Sequence, residues 1–279
     1  MGGRLIGWAM VAPAGAMVAC LFAYPLLGSL IGAFTPRDAA QESFPSLANF
    51  AVAWEFYADD MVFTVGIIAL SVAITGVLAV AIAGYLTLGT TPFVVAALRW
   101  LYRWPLFIPF IVAAQCMRTF LAKNGLMNNA LSAGGLITPL EAQSFLDWRG
   151  IVITMVWKQL PFVTLLVAGA MAALDRSTIE AARNLGAGKL RVLLQIVVPQ
   201  VTGTLGVALV LTTVVMTGVL SVPIMMTSQT PAMLTVQMAF RINAYGDYGT
   251  ANALGVVSYL ITGSVSWLYL RHVARGRSR

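Results

Sequence analysis

The sequence predicts an all-α, polytopic membrane protein with about six transmembrane helices, and three observations predict it. Of 279 residues, 59% are hydrophobic and only 10% are charged, whereas a soluble domain carries roughly a quarter charged residues. Six apolar runs approach the roughly 20 residues that a helix needs to cross the hydrocarbon core. The Lys and Arg residues fall mostly between those runs or at the C-terminus. The even spread of the runs favours a single transmembrane domain over residues 1–279.

The first run, Leu5–Phe34, is too long for a secretory signal and no short polar cleavage site follows it, so it reads as a retained helix. Met61–Leu88 is the second. Leu98–Leu121 is the third, interrupted by Pro105 and Pro109. Ile151–Leu174 carries Lys158 and Pro161, Val201–Pro223 is the fifth, and Ala251–Leu270 is the sixth. Prolines inside such helices are tolerated where neighbours re-satisfy the freed backbone groups.

Charge sets the expected orientation. With the N-terminus in the cytoplasm, the inner segments hold eleven basic residues: Arg4, Arg99, Arg103, Arg176, Arg183, Lys189, Arg191, Arg271, Arg275, Arg277 and Arg279. The outer segments hold five, Arg37, Arg118, Lys123, Arg149 and Arg241, and Lys158 lies within a span. The positive-inside rule therefore selects both termini inside. The acids Asp38, Glu42, Glu55, Asp59, Asp60, Glu141, Asp147 and Asp247 fall outside. Trp54, Trp100, Trp104 and Trp148 fall near the expected boundaries, where indoles prefer to sit.

The net charge of +7 does not signal nucleic acid, because no basic stripe with an aromatic platform accompanies it. Two cysteines and one histidine cannot build a zinc site. Cys20 and Cys116 lie in apolar segments and read as buried small hydrophobes, and His272 as a side chain of the basic tail. Long outer loops are expected over 35–60 and 122–150. The outer loop 224–250 holds an apolar stretch, Met233–Phe240, suited to a short re-entrant or interfacial helix.

The loop between the fourth and fifth runs is the most informative. Asp175, Ser177 and Thr178 are all potential N-caps of a short helix. Glu180 and Arg183, three apart, share a face and can pair. Ala181 and Ala182 let another surface approach closely, and Gly186 and Gly188 can end the helix in a left-handed turn. Physical chemistry thus gives a capped, small-residue helix displayed on the cytoplasmic side.

Glu180-Ala181-Ala182, then Gly186, Ile196 and Val198-Pro199 at their spacing resemble the EAA loop of the permease subunits of binding-protein-dependent ABC importers, with Val198 where that family usually has Leu. Asn184-Leu185-Gly186-Ala187 looks more like the polyamine, iron, thiamine and phosphonate types than the sugar type. The resemblance implies a type I ABC importer permease fold in a bacterial cytoplasmic membrane. Its coupling loop covers about 175–199, and Glu180, Ala181, Ala182 and Gly186 dock on a separate ATPase. It also implies a second permease subunit, homologous or identical, and an extracytoplasmic solute-binding protein. The chain would be a non-catalytic subunit holding no cofactor, with ATP and Mg bound by the ATPase partner. In agreement, Gly186-Ala187-Gly188-Lys189 lacks the upstream glycine and trailing hydroxyl residue of a phosphate-binding loop.

Lys158 is the sharpest residue for substrate. A charge at that depth is costly and marks a functional candidate, here one that attracts an anionic group. The structural reading, a lysine paired with a carbonyl or a partner acid, stands beside it. Gln159 and Thr217 are further pathway candidates, as are Gln115, Arg118, Thr212, Thr213, Ser221 and Asn252, each equally suited to hydrogen bonding between helices. Met216, Met225 and Met226 read as packing. The rival is an ion-gradient-driven secondary transporter, which usually needs intramembrane acids or broken helices. No Asp or Glu is expected deep in a span.

Overall fold

Thirteen α-helices, two π-helical turns and two short 3₁₀ turns make up the described residues of a computed structural model, 2–35, 44–227 and 229–276, with no strand among them. Arg37, Asp38, Glu42, Arg277 and Arg279 lie outside the described residues, as do the side chains of Arg4, His272 and Arg275.

The first run forms α1 (Gly2–Val18) and α2 (Tyr24–Ala33), joined by a π-helical turn at Ala19–Ala23. Pro25 has no N–H for the i−4 carbonyl, and the widened turn just before it absorbs the mismatch. None of the apolar stretch of this span is buried in the bundle, apart from the end of α2, which packs on α13.

The second run is longer than the sequence reading. It is one helix, α3 (Ala48–Leu88), which begins 13 residues before Met61. No Gly or Pro stands between Ser46 and Asp60 to stop it. At 1.5 Å per residue its 41 residues reach about 60 Å, twice the hydrocarbon thickness. The second half of the expected first outer loop, residues 48–60, is therefore the extended end of this helix.

The third run is broken outright. It comprises α4 (Pro92–Leu101), a 3₁₀ turn at Trp104–Phe107, and α5 (Phe110–Leu121), with α6 (Leu126–Ala133) following. The two halves bend by 112° across Ile108 and Pro109, since Pro109 cannot donate and biases its predecessor away from helix.

Helix α7 (Trp148–Ala172) is the most buried span and packs along α3 and α10. The loop helix α8 (Arg176–Asn184) leads through α9 (Lys189–Val192) and a second π-helical turn, Leu193–Val197, into α10 (Val198–Gly218). The fifth span thus starts at Lys189, and residues 189–199 form its base, where the sequence reading began the span at Val201. This π turn also stands two residues before a proline, Pro199. Short α11 (Ser221–Met226) and α12 (Leu234–Tyr245) form the return between the fifth and sixth spans, on the side the charge distribution predicts to be outer, and α13 (Tyr248–Gly276) is the last span.

Two apolar clusters fill the α3–α7–α10 interior. The outer one joins Ile67, Met155, Met216, Met226 and Met233, which makes packing residues of Met216 and Met226. The inner one joins Ala83, Val163, Val167, Val192 and Ile179. Between them on the same helices lie the buried polar residues Ser71, Thr75, Gln159 and Thr212. Cys20 and Cys116 are exposed on the surface, contrary to the buried reading; an apolar run in a membrane chain does not say which face looks inward.

Candidate functional site

The segment expected to couple to an ATPase is assembled by local chemistry. The Asp175 side chain accepts the Ser177 N–H at 2.9 Å and the Ser177 hydroxyl at 2.6 Å, which starts α8. Those bonds, the hydroxyl first, hold the Asp175 carboxyl below the usual aspartate range. At the far end the Gly186 N–H donates to the Arg183 carbonyl and the Ala187 N–H to the Ala182 carbonyl, at 2.9 and 3.0 Å. This is a Schellman closure, and Gly186 supplies the left-handed residue with φ +84°.

Helix α8 presents two faces. Ile179, 8% exposed, inserts into the inner cluster beside Val192 and Met171, and half-buried Ala182 packs against the same cluster. Ser177, Glu180 and Ala181 face outward, and Leu185 is 89% exposed. Two bonds tie the segment to neighbouring elements. Arg183 donates to the Leu88 carbonyl at the end of α3 (3.3 Å), and the Lys189 ammonium donates to the Thr90 hydroxyl (3.0 Å). The expected Glu180–Arg183 pair does not form among the described ion pairs, because Arg183 turns to the carbonyl at the α3 terminus, where a cation is favoured.

The structure separates the pathway candidates. Lys158, 7% exposed, donates to the Pro105 carbonyl at 2.8 Å and contacts the Leu106 carbonyl at 3.5 Å, with its ammonium 5.0 Å from the Phe110 ring centroid. It thus adds a charged donor to the carbonyls at the break in the third span, where the Pro105 carbonyl otherwise accepts only the Ile108 N–H at 3.3 Å. The Thr217 hydroxyl donates to the Thr213 carbonyl and accepts from Thr262, joining α10 to α13. Arg118 donates to the Met225 carbonyl at 3.0 Å, joining α5 to α11. Gln159 is buried between the two apolar clusters.

A second polar node lies at the outer end. Asp60, 6% exposed and inside continuous α3, accepts the Ala232 N–H at 2.6 Å and the Gln237 amide at 2.9 Å. The Thr64 hydroxyl accepts the Leu234 N–H at 3.0 Å, and Arg241 donates to the Tyr57 hydroxyl. Together these dock α12, the short helix expected at Met233–Phe240, onto α3. An acid is therefore buried in an apolar helix, which the sequence reading placed in solvent. Both of its oxygens accept hydrogen bonds, so it serves to hold the outer return.

Sequence reasoning missed Asp60, Ile179, Arg183 and Lys189 in these roles. Their partners lie far away in the chain, and only the apolar character of Ile179 signals a buried face.

No family model matches the chain. It is 25% identical over 291 residues to a sulfoquinovosyl glycerol transport system permease protein of Agrobacterium fabrum, which covers 97% of this chain and 91% of the relative. It is 28% identical over 171 residues to the spermidine/putrescine transport system permease protein PotB of Escherichia coli, covering 60% and 61%. Among solved structures, a subunit of a bacterial alginate ABC transporter, in complex with its alginate-pentasaccharide-bound periplasmic protein, superposes with a TM-score of 0.80 at 19% identity. That match covers 100% of this chain and 96% of the other. The fold of this chain is thus that of ABC importer transmembrane subunits, in a multi-pass membrane protein.

Proposed function

We propose that this chain, a relative of ABC transporter permease proteins with the fold of an ABC importer's transmembrane subunit, forms half of a solute pathway driven by a separate ATPase. One observation carries the reading. A rigidly capped helix, α8, stands clear of the bundle with Ala181 and Leu185 turned outward, yet it is bonded to α3 and seated through Ile179 beside α7 and α10. Movement of α8 would therefore reach three spans at once. Packed, bistable elements convert small local shifts into larger ones.

In this reading Glu180, Ala181, Ala182 and Gly186 meet the ATPase. ATP and Mg bind there, and this chain is non-catalytic. Both termini face the cytoplasm in this reading, which the excess of basic residues on the inner segments supports. A second permease, homologous or identical, completes the pathway, and an extracytoplasmic binding protein delivers a small polar or charged solute to the outer return held by Asp60. The permease relatives are named for a sulfonated sugar glycoside and for polyamines, which supports a polar solute. Gln159, buried between the two apolar clusters, remains the pathway candidate of this reading, whereas Lys158 and Thr217 hold helices together.

The test replaces Glu180 with Ala in the complex purified with its ATPase and measures substrate-stimulated ATP hydrolysis and uptake. Coupling should fall while the complex still assembles. Undiminished stimulation, or labelling of residues 175–190 from the outer side of intact cells, would end the reading.

A further inference from the structure

Beside the coupling helix, on the side of α4, lies a cleft of about 470 Å³ walled by the ends of α3, α4 and α7 and by α8. Four arginines line it, Arg99, Arg103, Arg176 and Arg183, against one acid, Glu180. The charges do not cancel locally, since no ion pair joins any of them among the described residues. Arg183 covers the Leu88 carbonyl, so the negative end of α3 is already masked. The cleft is therefore an electropositive recess with donors on three walls, a geometry that suits a phosphate group.

The outer rim points to the source of that phosphate. Arg99 lies in the last turn of α4 and Arg103 just beyond it, before the 3₁₀ turn, and Trp100 and Trp104 follow them one position along. The two indoles are 62% and 56% exposed and meet edge to face with centroids 4.7 Å apart. Phe93, Leu101 and Phe107 are exposed along the same stretch. Exposed tryptophans at the end of an apolar segment sit at headgroup level, with apolar neighbours toward the acyl chains.

We propose that the cleft between α4 and α8 binds the phosphate-bearing headgroup of an anionic phospholipid, with the acyl chains lying along the Trp100–Trp104 face. The bound lipid would neutralise the arginine cluster and bridge α4 to the coupling helix, so that the composition of that leaflet would affect how firmly α8 is held.

The experiment uses the full chain in phosphatidylcholine vesicles doped with brominated phosphatidylglycerol or brominated phosphatidylcholine. Subtracting the emission of a Trp100→Phe/Trp104→Phe variant isolates the two indoles. A surface arginine enriches anionic lipid roughly fivefold, so quenching should need several-fold less brominated phosphatidylglycerol than brominated phosphatidylcholine. Arg99→Gln/Arg103→Gln should bring the two lipids close to equal, with unquenched emission unchanged as a sign of intact folding. Equal quenching in the unaltered chain, or a preference that survives the Gln pair, would overturn the proposal. If excess inorganic phosphate erases the preference, the site takes soluble anions and the lipid assignment falls. If the preference vanishes once the ATPase is bound, an acidic protein surface occupies the cleft and the assignment falls equally. The measurement needs no transport, so its failure and that of the coupling reading are separable.

Discussion

Replacing Gly186 with Ala isolates the backbone geometry that ends α8. A Cβ at Gly186 would meet nothing within 4 Å, so no clash contributes. The cost is conformational. Gly186 sits at φ +84°, where an L-residue is disfavoured by about 1–2 kcal/mol. Gly188, two residues on, provides the control. A Cβ there also meets nothing, but its φ is −68°, so Ala is free to adopt that conformation. Gly186→Ala should therefore depopulate the closed C-terminus of α8 by about 5–30-fold relative to an open one, while Gly188→Ala changes little. Amide exchange of residues 181–187 in the assembled complex reads the opening directly, and substrate-stimulated ATP hydrolysis reads its consequence. Gly186→Asn should be milder than Ala, since Asn visits the left-handed region more readily. Equal exchange and equal coupling in Gly186→Ala and Gly188→Ala would refute the reasoning, because the two differ in backbone angle and not in space.

Three other substitutions test the remaining joints. Asp60→Ala removes the acceptor of the Ala232 N–H and the Gln237 amide, leaving a buried donor unpaired at about 1–3 kcal/mol. Limited proteolysis should then cut the outer return around residues 227–247 sooner, and an unchanged cutting rate would count against the docking role. Lys158→Met removes a charge-assisted hydrogen bond of about 1.5–3 kcal/mol from the Pro105 carbonyl, which keeps the longer bond from the Ile108 N–H at 3.3 Å, and the loss is partly offset because no cation is buried. The unfolding midpoint in detergent should fall with the Michaelis constant for uptake unchanged, and a shifted constant without loss of stability would return Lys158 to the pathway. Gly206→Ala drives a methyl into the Tyr269 ring, which packs directly over that glycine while its hydroxyl donates to the Gly203 carbonyl at 2.7 Å. Overpacking of about 1–3 kcal/mol should loosen α13 from α10, measurable as faster exchange near Tyr269, and a native exchange rate would show that the ring simply moves aside.

Much of the fold was legible because the bilayer imposes a length. Each apolar run became a helix, and Pro105 and Pro109 marked where the third would break. The start of α3 was hidden because Glu55, Asp59 and Asp60 look like loop residues, although helix continuation depends on the lack of Gly and Pro. Asp60 reads as solvated until α12 folds back 172 residues later to supply its donors. The ends of α8 were legible as a short set of candidates, Asp175, Ser177 or Thr178 at the start and Gly186 or Gly188 at the stop, and the structure uses Asp175 and Gly186, which act within a few residues of themselves. The ties of α8 were not. Glu180 and Arg183 have ideal spacing for a pair, but a carbonyl 95 residues away claims the guanidinium. Lys158 shows the same limit, with its partner 53 residues distant. Local chemistry is written locally, and the destination of a long side chain is decided by what the bundle brings beside it.

The widened turn at Leu193–Val197 accommodates one surplus residue, and each residue advances an α-helix by about 100°. The faces of α9 and α10 are consequently out of angular phase, so a helical wheel drawn with one period from Lys189 to Gly218 assigns one end wrongly. Val192, wholly buried in one cluster with Ile179 of α8, lies on the α9 side of that offset. Deleting one residue from the turn should leave a bundle that inserts and assembles, yet with Val192 swung out of register and α8 loosened from the base of α10.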